Sequence, residues 1–197
     1  MKKIFNYGIL MLIIAVPAFS QTNWVADKAH STVGFTVSHM VISEVSGKFD
    51  DFEVRMTSSP SDFSNAVINV KIKTKSIDTG IKPRDNHLRS ADFFNADVDS
   101  LITFASTSIE KQNEKKYLIR GNLSMHGVTK PVTLDAVYKG KIGTDQNERI
   151  VFKATSTINR TEWGLKWNRA METGGLLVGE EVELSISMEF VVAKKDS

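Results

Sequence analysis

The chain has 197 residues, with 25 lysines and arginines against 23 aspartates and glutamates, and no cysteine. That balance leaves no concentrated basic face of the kind a nucleic-acid groove needs. Without cysteine there is neither a disulfide framework nor an acylated cysteine anchor, so an apolar core must hold the fold unaided.

In chain order, the first stretch reads as a secretory signal peptide. Lys2 and Lys3 form a charged n-region, Gly8 to Val16 a short apolar h-region, and Ala18-Phe19-Ser20 a small-x-small cleavage site before Gln21. The apolar run is too short to remain as a membrane span, and no second run of spanning length follows. The expected division is residues 1–20 as signal peptide and 21–197 as one domain, periplasmic or secreted. Cleavage would remove Lys2 and Lys3 and leave the mature chain formally neutral. The remainder is long enough for one domain with a sizeable core.

Past Gln21 the dominant period is two. Val33, Phe35, Val37 and His39 alternate with Thr32, Gly34, Thr36 and Ser38, and Ala66, Ile68, Val70 and Ile72 alternate with polar neighbours. Near the end Val182, Leu184, Ile186, Met188, Phe190 and Val192 do the same. Weaker alternation covers Phe49 to Met56, Leu101 to Ile109, Tyr117 to Ser124, Val132 to Tyr138 and Ile150 to Thr157, which makes eight candidate strands. Each stretch wets one face and buries the other, as half-buried antiparallel strands do. Polar turns at Asn113–Lys116, His126–Gly127 and Gly143–Asn147 separate them. Short strands with such turns predict an all-β sandwich or barrel, and closure into an antiparallel β-barrel removes exposed strand edges.

Two stretches break the rhythm. Ser76 to Ser100 is longer than the roughly 12–15 residues a structureless loop usually reaches, so it should hold a short helix. Pro83 suits its first position, and Asp85 with Arg89 would form an i,i+4 pair. Asn159 to Gly179 carries Trp163 and Trp167 with four glycines. Long, aromatic and arginine-bearing connections on a β scaffold are where function is usually housed.

The polar residues offer little chemistry of a recognisable kind. His30, His39, His87 and His126 share no short motif with another ligand, so no metal site is expected. Asp27, His30 and Ser31 have the residue types of a nucleophilic triad, but three neighbours in an extended segment converge poorly and no nucleophile elbow occurs. They read as a polar strand entry bonding local backbone. Arg84-Asp85-Asn86-His87-Leu88-Arg89 is the densest cluster. It could bind a phosphate or carboxylate head, or be a surface helix whose charges pair among themselves. Phe93 and Phe94 beside it favour the first reading. Phe35, Phe49, Phe104, Phe152 and Phe190 fall in strand alternation and read as core. A barrel of eight strands can be filled by its side chains or hold one small ligand, and the residues leave both open.

Taken together the motifs resemble the YceI-like family of bacterial secreted proteins. They run in order from Trp24-Val25-Ala26-Asp27 and His30-Ser31-Thr32-Val33-Gly34-Phe35 through Val45-Ser46-Gly47-Lys48-Phe49 and Ser76-Ile77-Asp78-Thr79-Gly80. Arg84-Asp85-Asn86-His87-Leu88-Arg89-Ser90, Asp92-Phe93-Phe94, Ile102-Thr103-Phe104, Gly121-Asn122-Leu123 and Gly127-Val128-Thr129-Lys130-Pro131-Val132 follow, and Asn159-Arg160-Thr161-Glu162-Trp163-Gly164 comes near the end. Each is weak alone; their order across nearly the whole mature chain is specific. Trp167-Asn168-Arg169-Ala170-Met171 departs by being more aromatic than the family pattern.

The resemblance implies a lipocalin-like, extended eight-stranded barrel with a lengthwise apolar tunnel, one or two short helices in its long connections, and no catalytic role. It further implies a long-chain ligand: a polyisoprenoid, an isoprenoid quinone, a prenyl phosphate, or a fatty amide or acid. On that reading Phe35, Val37, Ile68, Val70 and Phe104 line the tunnel. Phe93, Phe94, Trp163 and Trp167 shape its mouths, and Arg84, His87 and Arg89 contact the headgroup. No cofactor, metal or nucleic acid is expected. The partners would be the lipid and, transiently, a membrane, with the oligomeric state open and a homodimer among the options. Two alternatives stand beside this one. They are a hydrolase or isomerase using Arg84, Asp85 and His87 on a prenyl phosphate, and a ligand-free barrel with a structural or stress-interaction role.

Overall fold

Period-two alternation is realised as antiparallel strands that wrap around on themselves. The computed structural model describes residues 21–59, 63–144, 147–171 and 176–194, so the signal-peptide reading falls outside the described residues. The strands are β1 (Thr22–Ala26), β2 (Thr32–His39), β3 (Ser43–Phe49), β4 (Phe52–Ser58), β5 (Val67–Lys73) and β6 (Ile77–Asp78). After helix α1 (Lys82–Arg89) come β7 (Leu101–Lys111), β8 (Lys116–Met125), β9 (Val128–Ile142), β10 (Arg149–Asn159) and β11 (Val178–Val192).

Pairing runs β1-β4-β5-β7-β8-β9-β10-β11, and β11 returns to β1, so eight antiparallel strands close into a barrel. The long strand β11 has two partners on its open side. Its C-terminal end pairs with β1 through Ala26↔Phe190 and Trp24↔Val192. Its N-terminal part pairs with β2 from His39↔Val178 to Thr32↔Ser187, and the sheet continues through β3 to β6. One half of the wall is thus an eight-stranded ring, and the other is carried round by β2, β3, β6 and the α1 segment.

The expected number of barrel strands agrees, but their membership needs correction. The run Phe49 to Met56 is not one strand: it breaks at Asp50 and Asp51 into the end of β3 and the start of β4. Aspartates favour such a turn, and here Asp51 is held by Lys28 at 3.2 Å and Lys73 at 2.6 Å. Strand β1, absent from the expected set, belongs to the ring, whereas β2 lies outside it. The predicted helix is present, with Pro83 in its first turn, but the Asp85–Arg89 pair is not. Asp85 is buried and its Oδ1 accepts from the Thr79 amide at 2.9 Å and the Thr79 hydroxyl at 2.5 Å. Arg89 is half-buried and donates to Lys75 O and Ile77 O, so both side chains serve the segment before the helix instead of each other.

The turns follow their residue chemistry. His126 and Gly127 connect β8 to β9 with φ of 49° and 71°, the left-handed pair that a two-residue hairpin matching strand twist requires. Asn113 Oδ1 accepts from the amides of Lys115 and Lys116, both at 3.0 Å, and closes the β7–β8 turn.

Inside, burial is graded. Along β11 the inward residues Val182, Leu184 and Ile186 are half-buried while Met188 and Phe190 are buried. The end of the barrel near β1 is packed solid around Trp24 and Ile150, with Trp24 Nε1 donating to Ser58 Oγ at 3.0 Å. The half toward the start of β11 is where inward side chains remain reachable.

Candidate binding cavity

Those half-buried inward residues border a cavity of about 230 Å³, larger than the roughly 150 Å³ apolar cavity that stays dry and admits a benzene-sized guest. Its wall draws on nearly every barrel strand, because period-two alternation points one face of each strand at the axis. Val33, Phe35 and Val37 come from β2, Ile68, Val70 and Ile72 from β5, and Ile102 and Phe104 from β7. Leu123, Leu134, Ala154 and Leu184 continue round the far side. The five residues expected to line a tunnel, Phe35, Val37, Ile68, Val70 and Phe104, all border it.

Two glycines set its width. The Phe35 ring lies over Gly47, its partner on β3, and a Cβ there would stand 2.8 Å from Phe35 Cε1 and 2.9 Å from Thr79 Cγ2. The Phe104 ring lies over Gly121 in the same way, with a Cβ there only 2.5 Å from Ala105 O. Each ring therefore lies against the wall instead of crossing the lumen.

Aromatic clusters close on the cavity from both ends. Phe63, Tyr117, Tyr138 and Phe152 pack with ring centroids 5.1 to 6.2 Å apart, edge-on or tilted. Desolvation raises the Tyr138 phenol above its ordinary pKa. At the other end Phe35, Phe49 and Phe94 form a tilted and T-shaped chain at 5.9 and 6.0 Å. Phe93, Trp167 and His87 stack mutually at 4.7 to 5.2 Å.

The expected mouth residues separate on inspection. Phe93 and Phe94 border the cavity; Trp163 and Trp167 do not. Trp163 is 2% exposed and donates from Nε1 to Leu123 O at 3.1 Å, a structural tie between the connection after β10 and strand β8. Trp167 backs Phe93 and so stands one layer behind the wall.

None of the expected headgroup residues borders the cavity. Arg84 donates to Thr79 Oγ1 at 2.7 Å and Thr79 O at 2.9 Å. Arg89 donates to Lys75 O at 2.7 Å and also to Ile77 O. His87 Nε2 meets Asp92 Oδ2 at 3.0 Å. With Asp85 on Thr79, Arg84 and Arg89 are occupied in tying α1 to the segment around β6, because backbone carbonyls in a loop need donors that strand pairing does not supply, while His87 bonds within the long connection.

The cation that does reach the cavity is Arg160, at the junction of β10 with the short 3₁₀ turn Arg160–Trp163. It is 4% exposed, and burial pulls its pKa below the ordinary arginine value. Its Nε donates to Gly179 O at 2.8 Å, Nη2 to Val178 O at 3.3 Å and Nη1 to Leu165 O. The guanidinium also stands 5.9 Å from the Phe93 ring centre. Arg160 was absent from the expected sites, though a signal existed: it has the same parity as Phe152, Ala154 and Ile158, which all border the cavity.

The polar strand entry behaves as its residue types suggest. Asp27 Oδ1 accepts from the Ala29 amide at 3.1 Å, His30 Nδ1 lies 3.1 Å from Asp27 Oδ2, and Ser31 Oγ accepts from the Glu189 amide at 3.0 Å. Asp27, His30 and Glu189 approach one another closely enough to suggest metal ligands. Arg149 Nη1 already donates to both carboxylates, at 2.9 Å to Asp27, so a cation occupies that position.

The chain matches a known family over nearly the whole of this barrel. The model of the YceI-like domain matches residues 24–190. The chain belongs to the YceI-like family. Among relatives, a UPF0312 protein of Staphylococcus aureus (strain USA300) is 35% identical over 175 residues, covering 88% of this chain and 99% of that one. A Campylobacter jejuni YceI protein of known structure is 32% identical with a TM-score of 0.69, covering 86% of this chain and 96% of that one. A domain from Saccharophagus degradans, described as polyisoprenoid-binding and implicated in plant cell wall breakdown, superposes with a TM-score of 0.64 at 16% identity. It covers 86% of this chain and 98% of that domain, and at that identity the likeness concerns the YceI-like fold alone.

Proposed function

We propose that this YceI-like protein is a carrier or store for a long-chain apolar amphiphile, such as a polyisoprenoid, held in the barrel lumen, and that it catalyses no reaction on it. The observation that carries the reading is the cavity wall, apolar throughout except for Arg160 and the phenol of Tyr117 among the described residues. Such a wall repels water and selects hydrocarbon. Burying one CH₂ gains about 0.8 kcal/mol relative to water, so a prenyl tail is strongly retained against aqueous release. Against a bilayer the exchange is nearly neutral, since both environments are hydrocarbon. A protein of this kind trades lipid with membranes and hardly ever loses it to water. The polyisoprenoid-binding description of the Saccharophagus degradans domain agrees with this ligand class.

The carrier reading extends to location. The anatomy of residues 1–20 supports export, with cleavage before Gln21 and function in the periplasm or outside the cell. N-terminal sequencing of the protein recovered from the extracytoplasmic fraction should begin at Gln21; a product starting at Met1 there would count against it.

Native mass spectrometry of protein purified without detergent, followed by solvent extraction, tests the carrier itself. A stoichiometric adduct that extracts as a long-chain lipid is expected. Ile68→Trp and Val70→Trp, which place an indole in the lumen, should lose the adduct while keeping the β-sheet spectrum. An empty wild-type protein that also takes up no lipid from vesicles would overturn the proposal and favour a filled barrel.

A further inference from the structure

Arg160 poses a problem of charge. It is 4% exposed, it borders a cavity whose other polar-tipped residue is Tyr117, and no carboxylate among the described residues forms an ion pair with it. Its acidic influence comes from Glu180, an exposed residue acting at a distance. A charge removed from water is costly unless paired. Three backbone carbonyls, those of Leu165, Val178 and Gly179, accept from it. Carbonyls orient a guanidinium and satisfy its donors, but they bring no net negative charge. Of the five N–H bonds a guanidinium carries, these three contacts leave two, one on each terminal nitrogen. The Phe93 face at 5.9 Å adds a weak, uncharged partner.

We infer that Arg160 is the seat for the headgroup of the tunnel ligand, and that this head is anionic, a carboxylate or a phosphate monoester. This rests on the carrier reading above and deepens it. The tail enters first and the head comes to rest at the junction of β10 with its 3₁₀ turn, beside the start of β11 and opposite the end where Phe63, Tyr138 and Phe152 pack. The tail then lies along Ile158, Val182 and Phe35. The fork is already held by the three carbonyls, so little side-chain freedom is lost when an anion arrives. A planar, pre-oriented guanidinium suits the oxygens of either head. The half-buried cluster of Arg84, His87 and Arg89 plays no part in this recognition, because its donors are turned to Thr79, Asp92, Lys75 and Ile77.

The test uses probes that share a tail and differ in the head. The full protein, stripped of lipid, is titrated with geranylgeranyl phosphate against geranylgeraniol, and with oleate against oleyl alcohol. Wild type should bind at least one anion about tenfold or more tightly than its own alcohol, as a charge-assisted hydrogen bond implies. Preference in the first pair alone assigns a phosphate head, and preference in the second alone a carboxylate. In Arg160→Met the ratio of anion to alcohol affinity should fall to about one. Equal affinities in wild type, or a preference that survives in Arg160→Met, would overturn the assignment. Should Arg160→Met fail to fold, the wild type still decides by NMR titration of the bound head, ³¹P for the phosphate and ¹³C for labelled oleate. A head pKa shifted down on binding supports the pairing, and one unchanged or raised refutes it. Alcohols that bind without any anion preference sink the Arg160 assignment alone. A wild type that binds none of the four probes sinks the carrier reading and the assignment with it.

Discussion

A methyl group on Gly47 would collide with the edge of the Phe35 ring and with Thr79 Cγ2. Thr79 is anchored by Asp85 and Arg84, so the ring is the part that gives way, and its open side is the lumen. Gly47→Ala should therefore narrow the cavity without breaking a strand pair. The expected outcome is a protein that melts near wild type but copurifies with clearly less lipid in native mass spectrometry. Full lipid occupancy in the folded variant would show that Phe35 has another place to go. At this scale much of the wall was readable beforehand. Phe35, Val37, Ile68, Val70 and Phe104 face the cavity because parity along a strand is a local property. The arginines were not readable in the same way. Arg84 and Arg89 sit beside Phe93 and Phe94 in the chain, yet their donors answer to carbonyls of the preceding loop, a demand that no spacing rule encodes.

The β2–β3 hairpin carries the clearest strain of any element. His39↔Ser43 closes it and leaves Met40, Val41 and Ile42 in the turn. Met40 and Val41 have φ of 54° and 67°, a region that costs a non-glycine residue about 1–2 kcal/mol and a β-branched one most. Val41 is 68% exposed and Ile42 91%, so packing does not compensate. Asparagine tolerates this conformation, and Val41→Asn should raise stability by about 1 kcal/mol, read as a higher denaturant midpoint with unchanged slope. A lower midpoint would mean that the apolar tip makes a stabilising contact elsewhere. The elements themselves were legible where alternation was strong, as in β2, β5 and β11, and α1 was legible from Pro83 and the length of its connection. β6, with two residues, is too short to show any period. The break between β3 and β4 left one trace in the sequence, a change of parity from Phe49 to Phe52, Val54 and Met56 across Asp50 and Asp51.

For the whole molecule, closure is the decisive event, and a small ionic knot sits at the seam. Arg149, at the start of β10, reaches Asp27 just after β1 and Glu189 on β11. The Arg149 hydrogen bond, with a smaller contribution from His30, holds the Asp27 carboxyl below its ordinary pKa. A carboxyl depressed in the folded state stabilises the fold above its unfolded pKa, and that contribution is lost as pH falls through the folded value. Arg149→Met should therefore move the acid-unfolding midpoint to higher pH, measured by circular dichroism. Because the knot is open to solvent, the difference should shrink as salt is raised. A midpoint unmoved at low salt would show that strand pairing alone holds the seam.

What the sequence determined by itself was the local part of the answer: the all-β class, the face each strand turns inward, the positions of several turns, and the membership implied by its motif order. These follow from alternation and turn chemistry, which act between near neighbours. Tertiary structure decided whether the barrel is filled or hollow, since that depends on wall circumference against the summed volume of side chains from strands far apart in the chain. Gly47 and Gly121 bear on it only because Phe35 and Phe104 lie across from them. It likewise decided which cation faces the lumen. Arg160 reaches it because β10 ends there and the carbonyls of Leu165, Val178 and Gly179 converge on its fork, a meeting of segments that only the closed fold brings about.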